Sequence, residues 1–238
     1  MDSTAYVAIT RQDGLKRALA AIANNVANAS TAGYRRQEVI FTEHVEAAPD
    51  GGRSISMAKA AVERTDLGQG PLRPTGGAFD FAIEGDGFFM VETPAGDRLT
   101  RAGSFTPNAA GELVSPDGYR LLDAGGAPVL VPPDGGQVSL APDGTLSAAD
   151  RPIAQVGLYA PVDPKDLVRE GSALFRVEGP VDAGEAGRFM QGFVEDANVD
   201  PILEIARMIE VQHAYNAGKT LIEREDERVR GVLRTLGP

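Results

Sequence analysis

At 238 residues and 42% apolar content the chain is long enough for one domain or two, with room for a sizeable core. Thirty-four acidic against 23 basic residues give a formal net charge of -11, which argues against a nucleic-acid or anionic-membrane surface, because both need basic patches. The absence of cysteine excludes disulfides, thiolate catalysis and cysteine-bound metals.

The first element in chain order is a helix over Asp2 to Asn28. Tyr6, Ile9, Leu15, Leu19, Ile22 and Val26 recur at steps of three and four, and Asp2, Ser3 or Thr4 is available as a cap. Gly14 in its interior costs about 1 kcal/mol relative to alanine. The N-terminus lacks the basic start and apolar run of a cleaved secretory signal, and no stretch approaches the roughly 20 apolar residues that span a bilayer. The helix ends in a polar run containing Asn24, Asn25 and Asn28. Asn24 and Asn28 share a face, where their amides either bond a neighbouring backbone or simply fray the helix end. Gly33 reads as a chain reversal, and Tyr34 opens an extended segment.

Residues 35–75 hold Val39-Ile40-Phe41 and little sustained periodicity, and read as an extended linker with some strand. Gly68-Gln69-Gly70-Pro71 and Pro74-Thr75-Gly76-Gly77 mark its far end. Residues 76–190 alternate short apolar runs with turn signals, as in an all-β domain. Runs at 81–83, 88–91, 98–100, 112–114, 120–122, 129–131, 138–140 and 154–159 are the candidate strands. Pro-Asp-Gly occurs at Pro49, Pro116, Pro133 and Pro142; proline presets the turn and aspartate bonds its own backbone, so these are turns. With no helices between the strands, a sandwich or barrel-like insert is expected rather than a doubly wound sheet.

Chemistry-bearing constellations are scarce. Glu84-Gly85-Asp86-Gly87 lacks the spacing of a calcium or phosphate loop and reads as a tight hairpin. The two histidines, His44 and His213, have no legible partners, and no catalytic triad or paired carboxylates stand out. No catalytic, cofactor-binding or metal-binding residue is therefore assigned, and the chain does not read as an enzyme.

The last element, within residues 191–238, is a long helix beginning at Asp200, a good N-cap, and Pro201, a good first helical residue. Ile202, Ile205, Met208, Ile209, Tyr215, Leu221, Ile222, Val229, Leu233 and Leu236 form its apolar pattern. At roughly 55 Å it outruns a small domain and calls for another long helix, for which the first 34 residues supply the candidate. The fold expected is α+β: terminal helices paired as a coiled-coil-like layer, with an all-β insert between them.

Four stretches carry a resemblance. Asn24-Asn25-Val26-Ala27-Asn28-Ala29-Ser30-Thr31-Ala32-Gly33-Tyr34-Arg35 resembles the N-terminal signature of bacterial flagellar rod and hook proteins, with Val26 where leucine is usual. Gly70-Pro71-Leu72-Arg73-Pro74-Thr75-Gly76 running into Phe81 to Phe89, and Leu99-Thr100-Arg101-Ala102-Gly103-Ser104-Phe105, are similar to the same family. So are Gly192 to Pro201 and Met208-Ile209-Glu210-Val211-Gln212-His213-Ala214-Tyr215. The short length and the opening Tyr6 to Gln12 resemble proximal-rod members more than distal-rod or hook members. Asp200, His213 and Gly218 depart from the family pattern.

The resemblance implies a structural subunit of the flagellar basal body that polymerises through its terminal helices into a tubular drive shaft crossing the periplasm. It implies partners among other rod proteins and copies of itself, and uncleaved export through the flagellar type III apparatus, with no cofactor, nucleic acid or membrane insertion. Ile205, Met208, Ile209, Tyr215, Ile222 and Val229 would fill a seam against Tyr6, Ile9, Leu15, Leu19, Ile22 and Val26. Asn24, Asn25 and Asn28 would bond helix ends or adjacent subunits, Gly33 would permit the turn leading to Tyr34, and Gln212 belongs to the C-terminal motif. A distal-rod or hook subunit, or a secreted adhesin-like β protein, is the alternative.

Overall fold

The computed structural model describes residues 3–46, 55–133, 136–183 and 187–236; the side chains of 3–7, 42–46, 55–62, 233, 235 and 236 are not among those described. It is an α+β chain with a helix near each end and a β-rich middle. Contacts divide it into two units. The first gathers Met1–Ala27, Arg36–Asp66 and Val199–Pro238; the second gathers Asn28–Arg35 and Leu67–Asn198.

In the first unit, α1 (Ser3–Ala27) and α2 (Pro201–Leu236) pack on each other. Asp200 caps α2 as the sequence predicts, its carboxylate accepting the N–H groups of Ile202 and Leu203 at 2.9 and 3.2 Å, with Pro201 in the first turn where no N–H is needed. The stretch read as a linker carries more order than expected. Gln37–Glu46 (β1) and Ile55–Thr65 (β2) pair antiparallel, with one register shift at Ile40/Phe41, and α1 packs on this hairpin. An isolated two-stranded ribbon is marginal in water, so α1 supplies the support it needs. The turn expected at Pro49 lies outside the described residues.

The second unit is built from small open antiparallel sheets. The largest has seven strands in the order Leu167–Glu170, Leu174–Val177, Gly96–Thr100, Phe89–Thr93, Arg120–Leu121, Leu113–Val114 and Thr106–Pro107. A three-stranded sheet and several two-stranded pairs complete the unit; no described sheet closes on itself, so neither is it a barrel. A main core, centred on Phe81, Phe89, Leu113, Leu121 and Leu146, and a smaller cluster of Phe88, Leu99 and Phe175 hold the sheets together. Phe89 packs edge-on against Phe105 at 5.6 Å between ring centres and tilted against Phe189 at 5.8 Å.

The Pro-Asp-Gly turns at Pro116 and Pro142 form as read, closed by Gly118 N–H to Ser115 C=O at 2.8 Å and Gly144 N–H to Ala141 C=O at 2.9 Å. The turn at Pro133 includes residues outside those described. Glu84-Gly85-Asp86-Gly87 is not a tight hairpin. The strand before it, Phe81–Glu84, pairs with Arg188–Gln191, whereas Phe88 beyond it bridges Tyr159, so these residues carry the chain from one sheet to another. The run 129–131, expected as a strand, is not one, but it is held by an isolated bridge between Leu130 and Glu112 and by backbone bonds from Val129 N–H to Leu121 C=O at 2.9 Å, Leu113 N–H to Val129 C=O at 3.0 Å and Val131 N–H to Gly111 C=O at 2.8 Å.

Candidate assembly interface

Two polar nodes, one in each unit, are built from side chains near the sequence motifs. In the first unit the Asn25 side chain is fully buried at the end of α1. Its amide oxygen accepts the N–H of Gln37 at 2.8 Å, and its amide nitrogen donates to the Gln37 carbonyl at 2.9 Å, so the amide caps the start of β1 as a neighbouring strand would. The same nitrogen lies 3.0 Å from Glu204, which is 1% exposed on the first turn of α2. Glu204 also accepts from Arg36 Nε at 2.8 Å and Arg207 at 3.1 Å. Burial works against a charged Arg36, but the hydrogen bonds and attraction of Glu204 and Glu38 outweigh it and raise its pKa. Asn24 adds a bond to the Gln37 side chain at 2.7 Å.

In the second unit the fully buried Glu195 accepts from Arg35 at 2.5 Å and from the Gly70 N–H at 2.8 Å, while Arg101 approaches its other oxygen at 3.6 Å. Burial pushes the Arg101 guanidinium down to about 10 against the pull of Glu195, and Arg35 adds to the lowering. Both Arg101 and Arg169 lie over aromatic rings: Arg101 over Phe88 at 5.5 Å, Arg169 over Tyr34 and Phe175 at 4.7 and 5.0 Å. Arg169 also donates to the Arg35 carbonyl. Gly33 sits at φ 67° with its N–H on the Glu195 carbonyl at 2.8 Å, and a Cβ there would run into the backbone of Arg101 and Ala102. Tyr34 is buried beside it, and Asn28 anchors the loop before it, accepting from the Thr31 hydroxyl at 3.3 Å.

The helix pair is tied a second time. Gln12 Nε2 donates to the Tyr215 carbonyl at 2.9 Å, and α2 presents Gly218 there, where a Cβ would run into the Gln12 amide. Gly218 therefore permits close approach as well as lowering helix propensity. The ties Asn25 to Glu204 and Gln12 to Tyr215 run in opposite chain directions, so the helices are antiparallel.

The expected seam residues divide. On α1, Ile22 is buried and Leu15, Leu19 and Val26 are half-buried, but Ile9 is 58% exposed on the far side. The side chain of Tyr6 lies outside the described residues. On α2, Met208, Tyr215 and Ile222 are half-buried on the face of Glu204 and Gly218, whereas Ile205 and Ile209, 48% and 50% exposed, occupy another face with Ile202. Gln212 and His213 are exposed. Val229 shares the inward face but is 39% exposed, because at about 1.5 Å per residue it lies beyond the first described turn of α1. The apolar residues of α2 thus form two stripes where one was expected.

Sequence reasoning missed Glu195 and Glu204, each one acidic residue among 34. The available signal was position: Glu204 stands in the first turn after a cap, and Glu195 within a family motif. A cleft of about 380 Å³ in the second unit is lined by Pro142, Gln155, Leu158, Tyr159 and Phe189 among others. No group of three or more metal-ligating side chains occurs among the described residues. The paired helices of the first unit carry large apolar side chains open to solvent, which makes them the candidate surface for packing against other proteins.

Comparison with known proteins identifies the family. Three family models match in chain order: "Flagella basal body rod protein" over residues 6–35, "Flagellar hook protein FlgE/F/G D1 domain" over 82–148, and "Flagellar basal body rod FlgEFG protein C-terminal" over 190–234. The flagellar basal-body rod protein FlgF of Mesorhizobium japonicum is 39% identical over 100% of this chain and 99% of its own length, and that of Caulobacter vibrioides is 35% identical over the same shares. The rod protein FlgG of Bacillus subtilis is 29% identical over 93% of this chain and 94% of its own. The chain belongs to the flagellar basal-body rod and hook protein family, and within it is FlgF-like.

Proposed function

We propose that this chain is a structural subunit of the proximal rod of the bacterial flagellar basal body, assembling with other rod proteins and with copies of itself. The observation that carries this reading is end-to-end similarity to FlgF proteins, together with large apolar side chains that stand exposed on the terminal helices among the described residues. Flagellar hook proteins are matched over only 45% of this chain and 27% of their own length, which favours a rod over a hook subunit.

In this reading α1 and α2 form a coiled-coil-like inner layer and the β-rich unit an outer layer of a tube that transmits torque. Removing an apolar stripe from water contributes roughly 25 cal/mol per Å², and repeated contacts between unlike faces generate a helical tube rather than a closed ring. Asn25 and Glu204 set the register in which the helices meet, and no step requires a reaction. The subunit is exported uncleaved by the flagellar type III apparatus and assembles across the periplasm.

The test is recovery. In a strain lacking the gene, motility and complete hook-basal bodies are lost, and a tagged full-length chain restores both and co-purifies with isolated basal bodies. Restored motility with the chain absent from basal bodies overturns the reading.

A further inference from the structure

The second unit buries more positive than negative charge at one place. Arg35 and Glu195 are fully enclosed, Arg101 is 3% exposed and Arg169 is half-buried. Among the described residues Glu195 is the one carboxylate within ion-pair distance of these guanidinium groups, and Asp86 attracts Arg101 from farther away. Burial lowers the pKa of both Arg101 and Arg169, and the charge of Arg35 lowers them further, so the three stand within one another's field. Backbone carbonyls take part of the donor load: Arg101 donates to Ile83 and Gly85, Arg169 to Ser172 and Arg35. Nε and Nη2 of Arg35, Nε of Arg101 and Nε of Arg169 are buried with no acceptor among the described residues, against a single unpaired acceptor in the cluster, Glu195 Oε2. Nε and Nη2 share one edge of the Arg35 guanidinium, so their two N–H groups point the same way and form a fork suited to one anionic acceptor.

We propose that the Arg35 fork binds a compact monovalent anion of the chloride class. A buried donor without an acceptor costs its full desolvation, and a buried cation without a counter-charge costs more. Water supplies acceptors but no charge; a monovalent anion supplies both. Repulsion from Glu195 is offset by the charges of Arg101 and Arg169. Full enclosure of Arg35 selects a small ion over a phosphate group, whose further oxygens would need donors of their own. The ion would also tie the segment before it to the second unit, since the Gly33 N–H rests on the Glu195 carbonyl at 2.8 Å and Arg169 holds the Arg35 carbonyl.

The test uses the purified full-length chain. Replacing sodium gluconate by sodium chloride, each at about 100 mM, should raise the melting temperature of the second unit by roughly 3 °C at unchanged ionic strength, and amide exchange at Gly33 should slow several-fold. Arg35→Lys keeps the charge and removes the fork, and should lose both responses. Crystals of the native chain grown in sodium bromide give a reading that needs no variant: an anomalous peak is expected within about 3.5 Å of Arg35 Nε and Nη2. Equal stability in chloride and gluconate, an Arg35→Lys chain that keeps the chloride response, or bromide peaks confined to the surface overturns the site.

Discussion

The two units handle apolar surface in opposite ways. The second buries a core of Phe81, Ile83, Phe89, Val91, Leu99, Leu113, Leu121 and others behind its sheets, and of the large apolar side chains it leaves only Leu130 and Val162 prominently exposed among the described residues. In the first unit the buried apolar side chains described are Ala18, Ala21 and Ile22, while ten large ones stand exposed, from Ile9 through Ile40 and Phe41 to Val232. Burial of apolar area is the main favourable term in folding, so the second unit has a stability of its own and the first depends on what packs against it. Under the proposed function the difference separates a unit that holds its shape from a unit that makes the assembly.

That comparison can be broken at its strongest point first. Glu195→Ala leaves Arg35 and Arg101 buried without their carboxylate, and is expected to destabilise the second unit by about 3–5 kcal/mol, read as a shifted tyrosine near-UV transition in denaturant. Phe89→Ala, which removes two ring contacts and opens a cavity in the core, should cost about 3–5 kcal/mol in the same transition. Asn25→Ala should instead act on the first unit. Amide exchange at Gln37 should lose protection corresponding to about 1–3 kcal/mol, with the near-UV transition of the second unit unmoved.

Ile205→Ser sharpens the contrast from the other side. Its side chain is already half exposed, so thermal stability of the purified chain should change by no more than about 0.5 kcal/mol, while its recovery in basal bodies falls severely. Equal losses in both measurements would mean that Ile205 belongs to an internal core.

The smallest effect is in acid. Hydrogen bonds from Arg188, Asn108 and Arg98 hold Glu84, Glu112 and Glu170 below the ordinary value of 4.5, and the Thr145 backbone holds Asp143 below 3.8; all four are in the second unit. In the first unit Glu225, bonded by Arg228, is lowered in the same way. A carboxylate whose folded pKa is lowered contributes stability that is full above its unfolded pKa and is lost as pH falls through the folded value. The second unit's melting temperature should therefore hold from neutral pH to about 5 and decline below about 4, more steeply than exchange protection in the first unit. A decline beginning near pH 6 would show that other groups control the second unit.

The sequence by itself determined the chain's large-scale order. Asp200 and Pro201 fix where α2 starts because a cap and a missing N–H act within one turn, and three- and four-residue spacing sets both helices for the same local reason. The Pro-Asp-Gly turns at Pro116 and Pro142 formed for reasons contained in four residues, and Asn24, Asn25, Gly33 and Tyr34 could be singled out because the family motif is contiguous. Only the tertiary structure decided what those residues touch. It showed that Gln37–Glu46 and Ile55–Thr65 pair antiparallel, since strand pairing across a register shift leaves little period to read. It also turned Glu84 to Gly87 from a hairpin into a passage between sheets. It divided the apolar residues of α2 into an inward stripe and an outward one, because hydropathy marks a side chain as apolar without saying which neighbour covers it. And it chose Glu195 and Glu204 from 34 acidic residues, since a buried carboxylate is distinguished by partners up to 179 positions away along the chain.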